Sequence, residues 1–481
     1  MADAQRQQLK IELEPTEEQE HIINLVLSTK DNLLINALAG TGKTSTLELI
    51  QNVARPPVLC LAFNRRIADE MEKRFRSTTT VRTLNGLGHR IWASACANRL
   101  SLNPKKSQDI LREIIRDLSK SAQGEAYDEF WSVISGVALA KSLGYIPAGK
   151  FPNAKRLISG PEFFAQFEET PSSLCCSLVN QVLTASIQAA YSGSIDYDDQ
   201  VYLPALFGGT YPRFPLVLID EAQDLSPVNH EMLGHLKASR LIAVGDPWQS
   251  IYAFRGAVQN GMSKLRERFA MVEADLSVSF RCPENICAAA RWRTPNLRSI
   301  KPGGRVAHIR NPSLDSFMDG SVIICRNNAP LFALALRLLS SGRSVSVSGS
   351  DVGPRIIAIM KRLGYPEMKQ PEVLNAIEGW RAERLAKQST SADDIADCMR
   401  VFGSQGDTLG QGIAYGEHLF AQKGEIQLCT GHKAKGLEWP TVYHLDPFLC
   451  RESEQDQNLR YVITTRAMQN YYEIESREIR P

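Results

Sequence analysis

No Cys-x-x-Cys pair occurs among the ten cysteines of this 481-residue chain, so neither a zinc ribbon nor a disulfide framework is suggested. Scattered thiols of that kind suit a reducing compartment. No apolar run is long enough to span a bilayer, and the opening MADAQRQQLKIELEPTEEQ has no apolar core of the signal-peptide kind. A soluble, cytoplasmic protein with no membrane partner is therefore expected. A large excess of charge is missing too: 55 Lys and Arg face 53 Asp and Glu, a formal net charge of +2. A nucleic-acid partner would need a local basic groove rather than a basic surface. What is present, 43% hydrophobic and 22% charged residues over a length beyond one growing core, predicts two or more globular domains.

The chain is organised around Ala37 to Thr44, read ALAGTGKT, between the apolar run NLLINA and a helical pattern from Lys43 to Asn52. Strand, Gly-rich loop and helix in that order form a phosphate-binding loop. Its amides and the helix N-terminus face the phosphates, Lys43 adds a mobile charge, and Thr44 offers a hydroxyl to Mg²⁺. Glycine at 40 and 42 lets backbone approach phosphate closely. Upstream, Thr16 reads as the N-cap of a helix from Glu17, with Gln19 at the capping-box position.

Further strand and helix pairs follow at Val58 to Ala62 with Arg65 to Phe75, and at Thr80 to Thr83 with Leu84 to Ala95. From about Asn98 to Ser192 the periodicity is helical throughout, the pattern of an insertion. Leu216 to Ile219 is an apolar strand ending in DEAQD, the acidic companion that a phosphate loop needs for a metal and an attacking water. Leu241 to Val244 runs into GDPWQSIYAFRGA, where an amide, two aromatics and a guanidinium share one loop. A further α/β region begins near Asp275, residues 351–422 are again helical, and strands return at Glu425 to Cys429 and Thr441 to Leu445. The plan is α/β, helical insert, α/β, twice over.

Taken in order from Thr16 to Ala467, these stretches resemble the UvrD/Rep-type superfamily 1A helicases, in a compact, Fbh1-like or phage-type form. The resemblance implies an α/β fold of two RecA-like motor domains, each with a mainly helical insert. The first motor would comprise 1–97 and 193–274 with insert 98–192; the second, 275–350 and 423–481 with a reduced insert 351–422. It implies ATP and Mg²⁺ as cofactors. Lys43, Asp220, Glu221, Gln249, Arg281 and Arg466 would be catalytic: Asp220 with Thr44 on Mg²⁺, Glu221 as base, Gln249 at the γ-phosphate, the two arginines as fingers. Nucleotide would also meet Gln19, Ala39, Gly40, Thr41, Gly42, Ser45, Phe280, Gly436 and Glu438. Phe63, Asn64, Asn85, Tyr252, Phe254, Arg255, Thr430 and His432 would meet DNA, Tyr252 and Phe254 by stacking.

Two departures stand out. VRTLNGLGH places Asn85-Gly86 where the family commonly has His-Ser, and Phe254 stands where Trp is usual. The short tail after Arg466 has no room for the family's strand-separating hairpin, so a wedge is expected in the insert 98–192. The implied activity is a 3′ to 5′ single-stranded DNA translocase and helicase, a monomer acting on single strands and junctions, with replication or recombination proteins as possible partners. Alternatives are a DNA-stimulated ATPase that displaces proteins with little unwinding, and a P-loop NTPase that uses no nucleic acid.

Overall fold

The structure, a computed structural model, describes residues 14–96, 98–167, 170–251, 260–348, 352–386, 389 and 391–480. Two six-stranded sheets of parallel strands dominate it. The first contains β1 (Leu33–Ala37), β2 (Val58–Ala62), β3 (Thr79–Thr83), β4 (Arg213–Ile219), β5 (Lys237–Gly245) and β6 (Val272–Leu276), in the order β3-β2-β4-β5-β1-β6. Continuous apolar runs suit strands covered on both faces. The alternation is visible in the packing: Leu34, Leu59, Leu61, Val217 and Ile219 join one core, while Leu33, Ile35, Val58, Cys60, Leu216 and Leu218 join the opposite one.

β6 pairs in register with β1 from Leu33↔Val272 to Ala37↔Leu276, so the first sheet reaches past the boundary expected at 274. Its sequence, VEADL, alternates exposed and buried residues as an edge strand does.

The second sheet contains β7 (Arg305–His308), β8 (Val322–Cys325), β9 (Val345–Ser348), β10 (Ile426–Thr430), β11 (Trp439–Leu445) and β12 (Ala467–Ile474), in the order β7-β12-β11-β8-β10-β9. Helices Val352–Leu363, Gln370–Ala386, Ala392–Gly403 and Leu409–Ala421 form the insert between β9 and β10. These are two RecA-like α/β units, each interrupted by helices.

The first insert carries helices Lys106–Arg116, Lys120–Asp128, Phe130–Leu143, Gly160–Phe164 and Ser173–Tyr191. Its neck is a two-residue strand pair, Ser101–Leu102 against Ser194–Ile195, too short to be read from sequence. Beside it lies a buried ionic knot. Lys106 Nζ stands 2.6 Å from Asp199 Oδ2, and Lys141 Nζ stands 2.6 Å from Asp196 Oδ2 and 2.8 Å from Asp199 Oδ1. Burial opposes the Lys141 charge, but the two aspartates outweigh it and hold its pKa above the usual lysine value. Removing one partner would strand a buried charge, so the knot fixes the insert to the motor.

Candidate nucleotide and nucleic-acid site

β1 delivers the chain into the loop Leu38 to Gly42, and Gly42 is the N-cap of the helix Lys43–Val53. Gly40 and Gly42 have φ of +74° and +82°, a left-handed backbone. A Cβ at Gly40 would lie 2.6 Å from both Arg281 Cβ and Ser279 Oγ, so the close approach of the second motor needs glycine there. A Cβ at Gly42 would stand 3.7 Å from the Phe280 ring and 3.5 Å from Gln19 Nε2, which puts these two predicted nucleotide contacts beside the loop. Thr41 Oγ1 donates to Leu38 O at 2.8 Å and closes the loop. Ser45 is on the exposed first turn, where its hydroxyl accepts from Arg74 at 3.2 Å.

The capping box at Thr16 forms as read: Gln19 N donates to Thr16 Oγ1 at 3.2 Å and Thr16 N donates to Gln19 Oε1 at 3.0 Å. Gln19 Nε2 also donates to Thr46 Oγ1 at 3.0 Å, tying the cap to the phosphate-loop helix.

β4 ends beside this loop. Glu221 adopts φ +51°, and its carboxylate lies 3.2 Å from Lys43 Nζ while also accepting from Gln223. Burial, then the neighbouring Glu221 charge, pushes Asp220 up. Burial opposes ionisation of Glu221 as well, but Lys43 and Lys435 outweigh it and hold that carboxyl low. Lys43 is kept protonated against its burial by Glu221, Asp246 and Asp220. Two crowded acids with a lysine paired to one of them suit a site that receives a divalent ion and a polyphosphate.

The second motor closes over this cluster. Arg466 is 1% exposed; its Nε donates to Val462 O at 3.0 Å and its Nη2 reaches Gln249 Oε1 at 3.4 Å. Burial, then the like charge of Arg281, lowers its pKa to about 10, so the guanidinium stays charged at neutral pH. Arg281 Nε donates to Glu438 Oε2 at 2.6 Å. Gly436, at φ +82°, lies two residues before Glu438.

Sequence reasoning missed three contributors here. The Tyr461 hydroxyl accepts from Ala39 N at 2.9 Å and donates to Asp246 Oδ2 at 3.2 Å, joining both motors at the loop. Lys435 Nζ donates to both Asp224 oxygens at 2.7 Å and to Gln249 O at 2.6 Å. Asp224 is pushed up to about 6 by burial, against the pull of Lys435. The signal for all three was membership in motifs whose other residues drew attention first.

Among the residues predicted to meet DNA, register Ala62↔Thr83 aligns the C-terminal ends of β2 and β3. Phe63 is 45% exposed there. Asn64 accepts from Ile67 N at 2.9 Å as an N-cap, and Asn85 Nδ2 donates to Tyr197 O at 2.6 Å. Tyr197, 55% exposed, adds a second aromatic to that edge; an aromatic between acids in SIDYDDQ was its only sequence signal. Thr430 caps the short helix Gly431–Ala434, which carries His432. Tyr252, Phe254 and Arg255 lie outside the described residues. Among the described residues no cluster of His, Cys, Asp and Glu is arranged to hold a metal by itself, and no helix is long and apolar enough to cross a membrane.

Comparison with known proteins bears on this arrangement. A profile of the UvrD/REP helicase N-terminal domain matches residues 203–270, and an AAA domain profile matches residues 14–110. F-box DNA helicase protein 1 of Schizosaccharomyces pombe is 22% identical across 94% of this chain and 56% of its own length. F-box DNA helicase 1 of Gallus gallus is 23% identical across 93% of this chain and 46% of its own. DNA helicase IV of Escherichia coli is 27% identical across 53% of this chain and 44% of its own. The chain spans about half the length of these curated relatives. Two parallel-sheet units, a phosphate loop against the second unit, a buried arginine of that unit on Gln249, and these matches together make the chain similar to the UvrD/Rep-like superfamily 1 helicases.

Proposed function

We propose that the chain is an ATP-dependent motor that translocates 3′ to 5′ on single-stranded DNA and unwinds duplex DNA. The observation that carries this reading is the convergence of Arg466 on Gln249, beside Lys43 and Glu221, from a different sheet. Lys43 and the loop amides hold the phosphates. Glu221, kept ionised, accepts the proton of the attacking water. Arg466 and Arg281 stabilise charge on the transferring phosphoryl only while the motors are together, so hydrolysis is tied to closure. Thr44 and Asp220 would hold Mg²⁺, whose charge neutralises the phosphates when bound. The fit rests on Asp220, a buried carboxyl already crowded by Glu221.

Alternate closure and opening then moves DNA along the edge that carries Phe63 and Tyr197, each stacked base contributing about 1–3 kcal/mol. Single strands and single–double strand junctions are the substrates, and the chain acts as a monomer. The test is ATP hydrolysis with and without single-stranded DNA or RNA, followed by unwinding of 3′-tailed against 5′-tailed duplexes. Stimulation by DNA and unwinding of the 3′-tailed substrate are expected, with both lost in Lys43→Ala and DNA stimulation weakened in Phe63→Ala. Hydrolysis indifferent to any oligonucleotide would refute the reading.

A further inference from the structure

The turn that follows β5 is held by the second motor at four positions. Asp246 accepts from Tyr461 at 3.2 Å, Gln249 Oε1 from Arg466 at 3.4 Å, and Ser250 O from Asn458 Nδ2 at 3.0 Å. These three partners lie on or just beyond helix Glu454–Thr464. Lys435 Nζ also donates to Gln249 O at 2.6 Å, and at Trp248 the contact differs in kind: the Arg293 guanidinium lies over the ring, 4.4 Å from its centroid.

Arg293 belongs to none of the motifs that marked the site. It sits just past helix Glu284–Ala290, and its other side-chain contacts are to helix Glu454–Thr464. Nε and Nη2 both donate to Asn458 Oδ1, at 3.0 and 2.7 Å, and Glu454 stands 3.6 Å from Nη2. One planar cation therefore stacks on the turn and binds the helix at once, which a lysine ammonium has no geometry to do. Asn458 is 4% exposed and the Arg293 side chain 19%, so water competes little for the clamp.

We propose that Arg293 is a positioning residue, which sets the turn carrying Gln249 in register with the helix leading to Arg466. The proposal rests on the function above, since it concerns coupling of hydrolysis to DNA. Arg293 itself reaches no predicted nucleotide contact, so its loss should lower turnover without weakening ATP binding.

The experiment is steady-state ATP hydrolysis by the full chain, with and without saturating oligo-dT, for wild type, Arg293→Ala, Arg293→Lys, Trp248→Ala, Trp248→Phe and the double alanine variant. Arg293→Ala should lower the DNA-stimulated kcat about tenfold, with KM for ATP within about twofold. Trp248→Phe, which keeps an aromatic face, should retain most of the activity; Arg293→Lys should not. The double variant should be no worse than Arg293→Ala alone, because that change already removes the stack on Trp248. Wild-type stimulated kcat in Arg293→Ala, an equal loss through KM, or additive losses in the double variant would each overturn the inference. A wild-type chain with no DNA-stimulated hydrolysis would instead overturn the proposed function and this inference together.

Discussion

Glu221→Gln should tighten ATP binding while it stops hydrolysis, because Glu221 holds the lysine that ATP must recruit. Lys43 Nζ lies 3.2 Å from Glu221 Oε2, with side chains only 14% and 20% exposed. At an effective dielectric of about 20, charges at that distance attract by about 5 kcal/mol before desolvation is subtracted. Measured couplings of close charge pairs begin at about 1.5 kcal/mol, which sets the lower end for what ATP must overcome to turn Lys43 toward its phosphates. Glutamine keeps the shape and the contact with Gln223 but not the charge. It also removes repulsion against the polyphosphate and relieves Asp220, whose carboxyl Glu221 helps to push up. ATP affinity should therefore rise at least about tenfold. Loss of the general base should lower single-turnover hydrolysis about 10²- to 10⁴-fold. Equilibrium binding of a fluorescent ATP analogue, paired with rapid-quench hydrolysis, reads both quantities. Weaker binding in the variant, or hydrolysis within a few-fold of wild type, would refute the reasoning.

Arg466→Ala should lower kcat by about 10³-fold or more with a smaller change in KM, since the finger acts on the transition state; steady-state kinetics with DNA present would show it. Gly40→Ala should abolish ATP binding, because at φ +74° its Cβ would meet Arg281 and Ser279 at 2.6 Å; unchanged binding of the fluorescent analogue would contradict that. Stability should fall in acid. Burial, then the Arg460 charge, lowers His444 to about 3, and burial with Arg268 and Lys264 lowers His230 to about 4. Both folded values lie below the unfolded value of about 6.5, so their contribution is complete above that pH and is lost as pH falls toward the folded values, at up to about 1.4 kcal/mol per pH unit per histidine. Urea midpoints at pH 7.5 and 5 should differ accordingly, and His444→Gln should flatten the difference.

Much of this molecule is written in local pattern. VLCLA and the Leu216 to Ile219 run could only be covered strands, and the phosphate loop announced its geometry through Gly40 and Gly42. Gln19 was readable as a capping-box residue, and that cap forms beside the phosphate-loop helix. Edge and neck elements were harder. VEADL carries two acids that turn to solvent on β6, and the strand pair Ser101–Leu102 with Ser194–Ile195 is too short for any periodicity. Least legible was what crosses between the motors. Tyr461 meets Ala39, and Lys435 meets Asp224, over sequence separations of 422 and 211 residues, and nothing in either local stretch names its partner. Asn64 and Asn85 show the converse: polar residues at a sheet edge hold backbone in place here, one as a helix cap and one on the Tyr197 carbonyl.

The contact between the motors is not only polar. Leu38, Ala39 and Ile251 of the first unit share one apolar cluster with Val322, Ile324, Val442 and Val462 of the second. Parting the sheets hydrates that cluster, and hydrating apolar surface raises heat capacity. In the proposed cycle the opening step therefore has an enthalpy that climbs with temperature, and cooling weakens the force that draws the halves together. An Arrhenius plot of turnover should bend for this reason, with the open form gaining ground in the cold.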